Sequence, residues 1–88
     1  MAWADRSGRI DFEDPAYLWE QVAADLRREI RSGELGPGSR LPSEAELSEM
    51  YGVARGTVRT AIRALREEGL VIVRVGKGAY VRRELPPE

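Results

Sequence analysis

Arg55, Arg59 and Arg63 stand at i, i+4 and i+8 in the stretch RGTVRTAIRALREEG, with Thr57 and Thr60 beside them and Arg66 one turn further on. A guanidinium is permanently charged, and its planar fork of donors matches a phosphate or a guanine edge bidentately. On one side of a helix such groups repel. Like charges at i, i+4 cost an isolated helix roughly 0.2–0.5 kcal/mol per pair, so the row has no local reason to exist. An anionic ligand supplies one; a merely solvated face is the alternative, and the row's position directly after a helix-ending turn favours the ligand. Little other chemistry is open to the chain. It has no cysteine and no histidine, which removes disulfides, the usual zinc ligands and the commonest general base. The paired carboxylates Glu44 with Glu46 and Glu67 with Glu68 fall at helix ends, where capping or solvation accounts for them. Gly36 and Gly38 lack the lysine and hydroxyl of a phosphate loop. The expectation is a binding protein with no catalytic residue, metal or cofactor.

To present an arginine row outward, a helix must be anchored on its other side. Val58, Ala61, Ile62 and Leu65 recur at i, i+3, i+4 and i+7, an apolar stripe opposite the arginines. Just upstream, Ser43 and Glu46 form a capping-box pattern after Pro42, and Leu47, Met50 and Tyr51 supply a buried edge. Gly52 provides the left-handed residue that ends this helix, and Val53 an apolar plug. Residues 43–69 therefore read as two short helices joined by a glycine-bearing turn of three or four residues, a helix-turn-helix whose second helix fits a DNA major groove.

The remaining elements support that pair. Asp14 and Pro15 read as a cap and first helical residue, followed by Leu18, Val22, Leu26 and Ile30 at a spacing of four until Gly33. The opposite face of that helix, with Glu20, Asp25, Arg27, Arg28, Glu29 and Arg31, reads as solvated. ELGPGSRLP is turn chemistry, with a very short strand at residues 39–41. Residues 70–75 and 79–83 predict a β-hairpin with Gly76, Lys77 and Gly78 at its tip, either a wing touching a ligand or a solubilised edge. Residues 1–14 show no sustained period and are expected to form a flexible arm; 15–83 form the domain, and 84–88 a linker or tail.

Eighty-eight residues allow one small core, burying roughly 60–65 % of the unfolded surface. No apolar run is long enough to span a bilayer, and the N-terminus lacks a signal-peptide pattern, so a cytoplasmic location and no membrane partner are expected. The net charge of −1 conceals a polarity: residues 1–54 hold 6 basic and 11 acidic side chains, residues 55–83 hold 8 and 2. With a screening length of about 8 Å in physiological salt, a bound ligand senses the local excess.

From Pro15 to about Arg83 the chain resembles the GntR family of bacterial transcription regulators, in its N-terminal winged helix-turn-helix domain. The resemblance is carried by Gly33 to Gly38, Leu41-Pro42-Ser43-Glu44, Tyr51-Gly52-Val53, Arg55, Thr57-Val58-Arg59, Glu68-Gly69-Leu70 and Gly76-x-Gly78. It implies a mainly α fold with a small β-hairpin (α+β): three helices plus a two- or three-stranded antiparallel wing. It also implies sequence-specific binding of double-stranded operator DNA, probed with the second helix of the pair in the major groove and the wing in the minor groove. The partner DNA is expected to be palindromic and the protein a homodimer on it, acting as a repressor, with the family's C-terminal effector domain absent from this chain. The expected DNA-binding residues are Ser43, Arg55, Gly56, Thr57, Arg59, Thr60, Arg63, Gly76, Lys77 and Gly78. Arg55 and Arg59 are assigned to base edges or phosphates, Thr57 to a phosphate, and Gly76 to a close backbone approach. Three departures stand out: Ala45 where many members carry a DNA-contacting arginine, Ala54 in place of a hydroxyl cap, and Gly56 in place of a second hydroxyl residue. Ile72, Val73 and Val75 are also more apolar than is common in the family. The rival reading is a winged-helix module that binds an acidic protein surface through the same face.

Overall fold

The computed structural model describes residues 3–14 and 16–88. Helices α1 (Leu18–Ser32), α2 (Glu44–Tyr51) and α3 (Arg55–Glu67) precede an antiparallel hairpin of β1 (Val71–Arg74) and β2 (Gly78–Val81). The fold is a winged helix-turn-helix, mainly α with a small hairpin. Val71 pairs with Val81 and Arg74 with Gly78, so Val75, Gly76 and Lys77 form the turn. Arg40 adds one β-bridge to Tyr80, flanked by hydrogen bonds from the Leu41 amide to the Ala79 carbonyl and from the Val81 amide to that of Ser39. The short strand expected at residues 39–41 is thus a single bridge.

The helices form for the reasons their sequences carry. Ser43 accepts from the Glu46 amide while Glu46 accepts from the Ser43 amide, closing both ends of a capping box. Gly52, at φ +71°, ends α2 and turns the chain sharply into α3. Val22, Leu26 and Ile30 of α1 pack with Leu47 and Tyr51 of α2 and Val58, Ala61 and Leu65 of α3, and Leu70, Val71 and Val81 close the core from the hairpin. Ile62 is only half-buried, at the margin of the α3 stripe.

Helix α1 starts later than Asp14 predicts. Tyr17 is its N-cap, and the Asp14 carboxylate instead accepts from the Ala16 amide in a local turn; Pro15 lies outside the described residues. A larger difference concerns residues 3–14, where a free arm was expected. A short 3-10 turn, Ser7–Arg9, follows Arg6, whose amide donates to the Met50 carbonyl at 2.6 Å. Ile10 joins the core, and Ser7 approaches Gly52 so closely that a Cβ there would meet its Cβ at 3.4 Å.

Arg6 itself is 1 % exposed. Its guanidinium donates to Asp25 and to Glu29, each at 2.8 Å, and to the Tyr51 hydroxyl at 3.1 Å, and it lies 4.6 Å from the centroid of the Trp3 ring. Tyr51 in turn donates to Asp25 at 2.6 Å, and Arg9 reaches Glu29 at 2.6 Å. The solvated face expected on α1 is therefore wrong at Asp25 and Glu29, which are buried. Standing at i, i+4, these two carboxylates repel and need a cation between them, and the N-terminal segment folds back to supply it. Burial pushes both carboxyls up, but the Tyr51 hydroxyl with Arg9 and Arg6 at Asp25, and Arg6 with Arg9 at Glu29, more than offset it and hold both below the usual carboxylate range.

Breaking a buried ion pair from one side costs roughly 3–5 kcal/mol, so Arg6→Met should lose about that much in urea denaturation at neutral pH. A carboxyl held below its unfolded value stabilises above that value and ceases to do so as pH falls through the lowered one. The gap between wild type and Arg6→Met should therefore be widest at neutral pH and shrink below about pH 4.

Candidate nucleic-acid interface

The turn of Gly52, Val53 and Ala54 sets α3 across α2, with Val53 plugged between them at 8 % exposure and its carbonyl accepting from the Ser48 hydroxyl at 2.6 Å. Because Val58, Ala61 and Leu65 face inward, Arg55, Arg59, Arg63 and Arg66 all face out, and all four are exposed. Ala54 occupies the N-cap with no side-chain hydrogen bond, so no side chain of the cap residue covers the positive end of the α3 dipole. Gly56 has open space around its missing side chain, and the backbone there can approach a ligand closely. Thr57 is half-buried beside it.

Two expected residues have part of their hydrogen-bonding capacity spoken for. Thr60 donates its hydroxyl to the Gly56 carbonyl at 3.0 Å, so it meets a phosphate as a donor only after rotating away. Ser43 accepts within its capping box, which leaves its hydroxyl proton free to donate outward. At the hairpin, Gly76 adopts φ +76° and Gly78 φ +118°, with exposed Lys77 between them. Val75, next to the tip, is 98 % exposed and half of the Val73 side chain is free, so the extra apolar character of this strand does not thicken the core. Arg59, Arg63 and Arg66 border a groove of about 400 Å³ that runs from the start of α2 along α3 to Val73, Gly78 and Ala79 of the hairpin strands.

Arg59 was expected to reach base edges or phosphates. Instead it grips Glu44 in a two-pronged pair, Nε at 3.0 Å and Nη2 at 2.9 Å from the two carboxylate oxygens. Arg59 draws the Glu44 carboxyl below the usual range, and Glu44 raises the arginine in return. Glu44 was read as a capping or solvated residue. Its spacing to Arg59 across the turn is a tertiary relation that no single-helix period displays. Arg40, in the loop before α2, is a second residue absent from the expected site, and its guanidinium lies against Gly78.

Residues 18–81 match the family model described as bacterial regulatory proteins, gntR family. The chain belongs to the GntR family. Among GntR relatives, the transcriptional repressor NagR of Bacillus subtilis is 39 % identical over 72 residues, covering 82 % of this chain and 30 % of that protein. The mannosyl-D-glycerate system repressor MngR of Escherichia coli is 43 % identical over 67 residues, covering 76 % and 28 %. The chain thus spans under a third of these curated relatives. Of solved structures, YtrA from Sulfolobus acidocaldarius, a GntR-family transcription factor, superposes with a TM-score of 0.80 at 37 % identity, covering 86 % of this chain and 80 % of that one. The DNA-binding domain of AraR, solved with operator ORX1, gives 0.72 at 32 %, covering 81 % and 92 %. Among the described residues of this GntR chain, no helix is long and apolar enough to cross a membrane.

The Arg59–Glu44 pair is directly measurable. In Arg59→Ala the Glu44 carboxyl should titrate upward toward the ordinary glutamate range, followed by carboxyl-carbon NMR, while Glu46, held down by the Ser43 amide, should stay in place. An unmoved Glu44 resonance would show that the pair does not persist in solution.

Proposed function

We propose that this chain is the DNA-binding part of a GntR-type transcriptional regulator, reading a double-stranded operator in the cytoplasm and repressing by occluding a promoter. The observation that carries the reading is the row Arg55, Arg59 and Arg63, exposed along one side of α3, with Gly78 of the hairpin on the groove that Arg59 and Arg63 line. A helix of this width fits the major groove, and a glycine-rich hairpin fits the narrower minor groove beside it. Arg55 and Arg59 read base edges. Ser43, Thr57, Arg63 and, after rotation, Thr60 hold phosphates together with the amides of Gly56, while Gly76, Lys77 and Gly78 approach the backbone and the minor groove. The AraR domain bound to its operator and the repressor titles of the relatives support the assignment. A single domain of this size covers one half-site, so the operator is palindromic and two copies bind it.

Selection of bound duplexes from a random pool should return a two-fold symmetric consensus. On that consensus, log affinity should fall linearly with log salt, at roughly −0.9 per neutralised phosphate. Arg59→Ala should lose about 5- to 150-fold in discrimination against the pool, the worth of one bidentate arginine–guanine pair. Shallow salt dependence and no competition by duplex would instead identify an acidic protein as the partner.

A further inference from the structure

A helix in the major groove and a hairpin tip in the minor groove must straddle the one sugar–phosphate strand that separates the two. The groove between α3 and the hairpin occupies that place. Its walls carry Arg40, Arg59, Arg63 and Arg66, and its single carboxylate, Glu44, is already paired with Arg59. Among the described residues, Arg40, Arg63 and Arg66 form no ion pair with the protein. The floor between them is apolar, made by Ile62, Val73 and Ala79. Three unpaired guanidinium groups above an apolar floor match a deoxyribose–phosphate strand, whose sugars are apolar and whose phosphates are anionic. They do not match an apolar helix, and a free small anion would leave the floor wet.

Arg40 is held to this task by the hairpin. The bridge from Arg40 to Tyr80 fixes its backbone, and the side chain runs across Gly78, where a Cβ would lie 3.1 Å from its Nε. The missing side chain at Gly78 makes the channel through which the arginine passes, which is a second reason for glycine there beside its φ of +118°.

Resting on the DNA reading above, we propose that this groove seats the phosphodiester strand between the two DNA grooves, with Arg40 binding its phosphates from the hairpin side and Arg66 from the helix side. Neither contact carries base information, so both add affinity on any sequence.

The test is the salt dependence of binding to the selected consensus and to an unrelated duplex, for wild type, Arg40→Ala, Arg40→Lys and Arg66→Ala, with circular dichroism melts to confirm folding. Each alanine variant should weaken binding about equally on both duplexes and make the log–log slope shallower by roughly 0.9, one phosphate contact each. Arg40→Lys should keep the wild-type slope. Replacing single phosphates by neutral methylphosphonates along the consensus should reveal a position that weakens wild type and leaves Arg40→Ala unchanged. Wild-type slopes in both alanine variants, alongside a wild type that binds duplex, would overturn the proposal alone. A wild type that binds no duplex would overturn the DNA reading beneath it.

Discussion

Val58, Ala61 and Leu65 have no exposed surface, and their burial against α1 and α2 sets the rotation of α3 about its own axis. At 3.6 residues per turn, a slip of one position swings every side chain by about 100°. Such a slip would carry a guanidinium into the core and an apolar residue into water. The direction of the arginines is therefore not a separate property of the site; it is the outer consequence of how the core closes. Ile62 shows where the constraint ends. It sits at the edge of the stripe, half-buried, and belongs to the groove as much as to the interior.

A second constraint works on the other side of the domain. Asp25 and Glu29 repel along α1, and Arg6 resolves the repulsion by reaching both while also touching Tyr51 of α2. Taking these charges out of water is costly, and an apolar cluster of the same volume would often be as stable. What the ionic cluster adds is geometric definition. Its hydrogen bonds have directions, so the N-terminal segment seats in one register, with its amide on the Met50 carbonyl and Ser7 against Gly52. The segment thereby buttresses the very turn that sets the angle between α2 and α3.

Most of the fold was legible in periods and punctuation. The capping box at Ser43, the left-handed Gly52, the plug at Val53 and the α3 stripe are local signals, and each forms where the sequence places it. The hairpin was legible from its β-branched residues and paired glycines, although its strands are shorter than their composition extends. The missed side-chain contacts share a cause. Arg6 with Asp25, Arg59 with Glu44 and Arg40 with Gly78 join residues 15 or more positions apart, and helical or strand periodicity contains no term for such contacts. One of them left a trace. The reasoning that flagged the arginine row, like charges at i, i+4 with no local reason, applies equally to Asp25 and Glu29. There the compensating charge lies within the chain. Along α3, among the described residues, Glu44 pairs with Arg59 and its charge also reaches Arg55, while Arg63 and Arg66 form no ion pair.

That difference bears on how such a face separates one duplex from another. A surface of unpaired arginines attracts any polyanion, since phosphates are the same on every sequence, and the attraction acts over the screening length of about 8 Å. Glu44 works against this. It lowers the net positive charge beside the start of α3 and holds Arg59 by both prongs of its fork, so that a phosphate must compete with a carboxylate already in place. Any acceptor, phosphate or base edge, that takes this fork must displace the carboxylate or use the N–H donors it leaves free. The face therefore divides its arginines by pairing: Arg59 is tied to a carboxylate, while Arg40, Arg63 and Arg66 form no ion pair among the described residues.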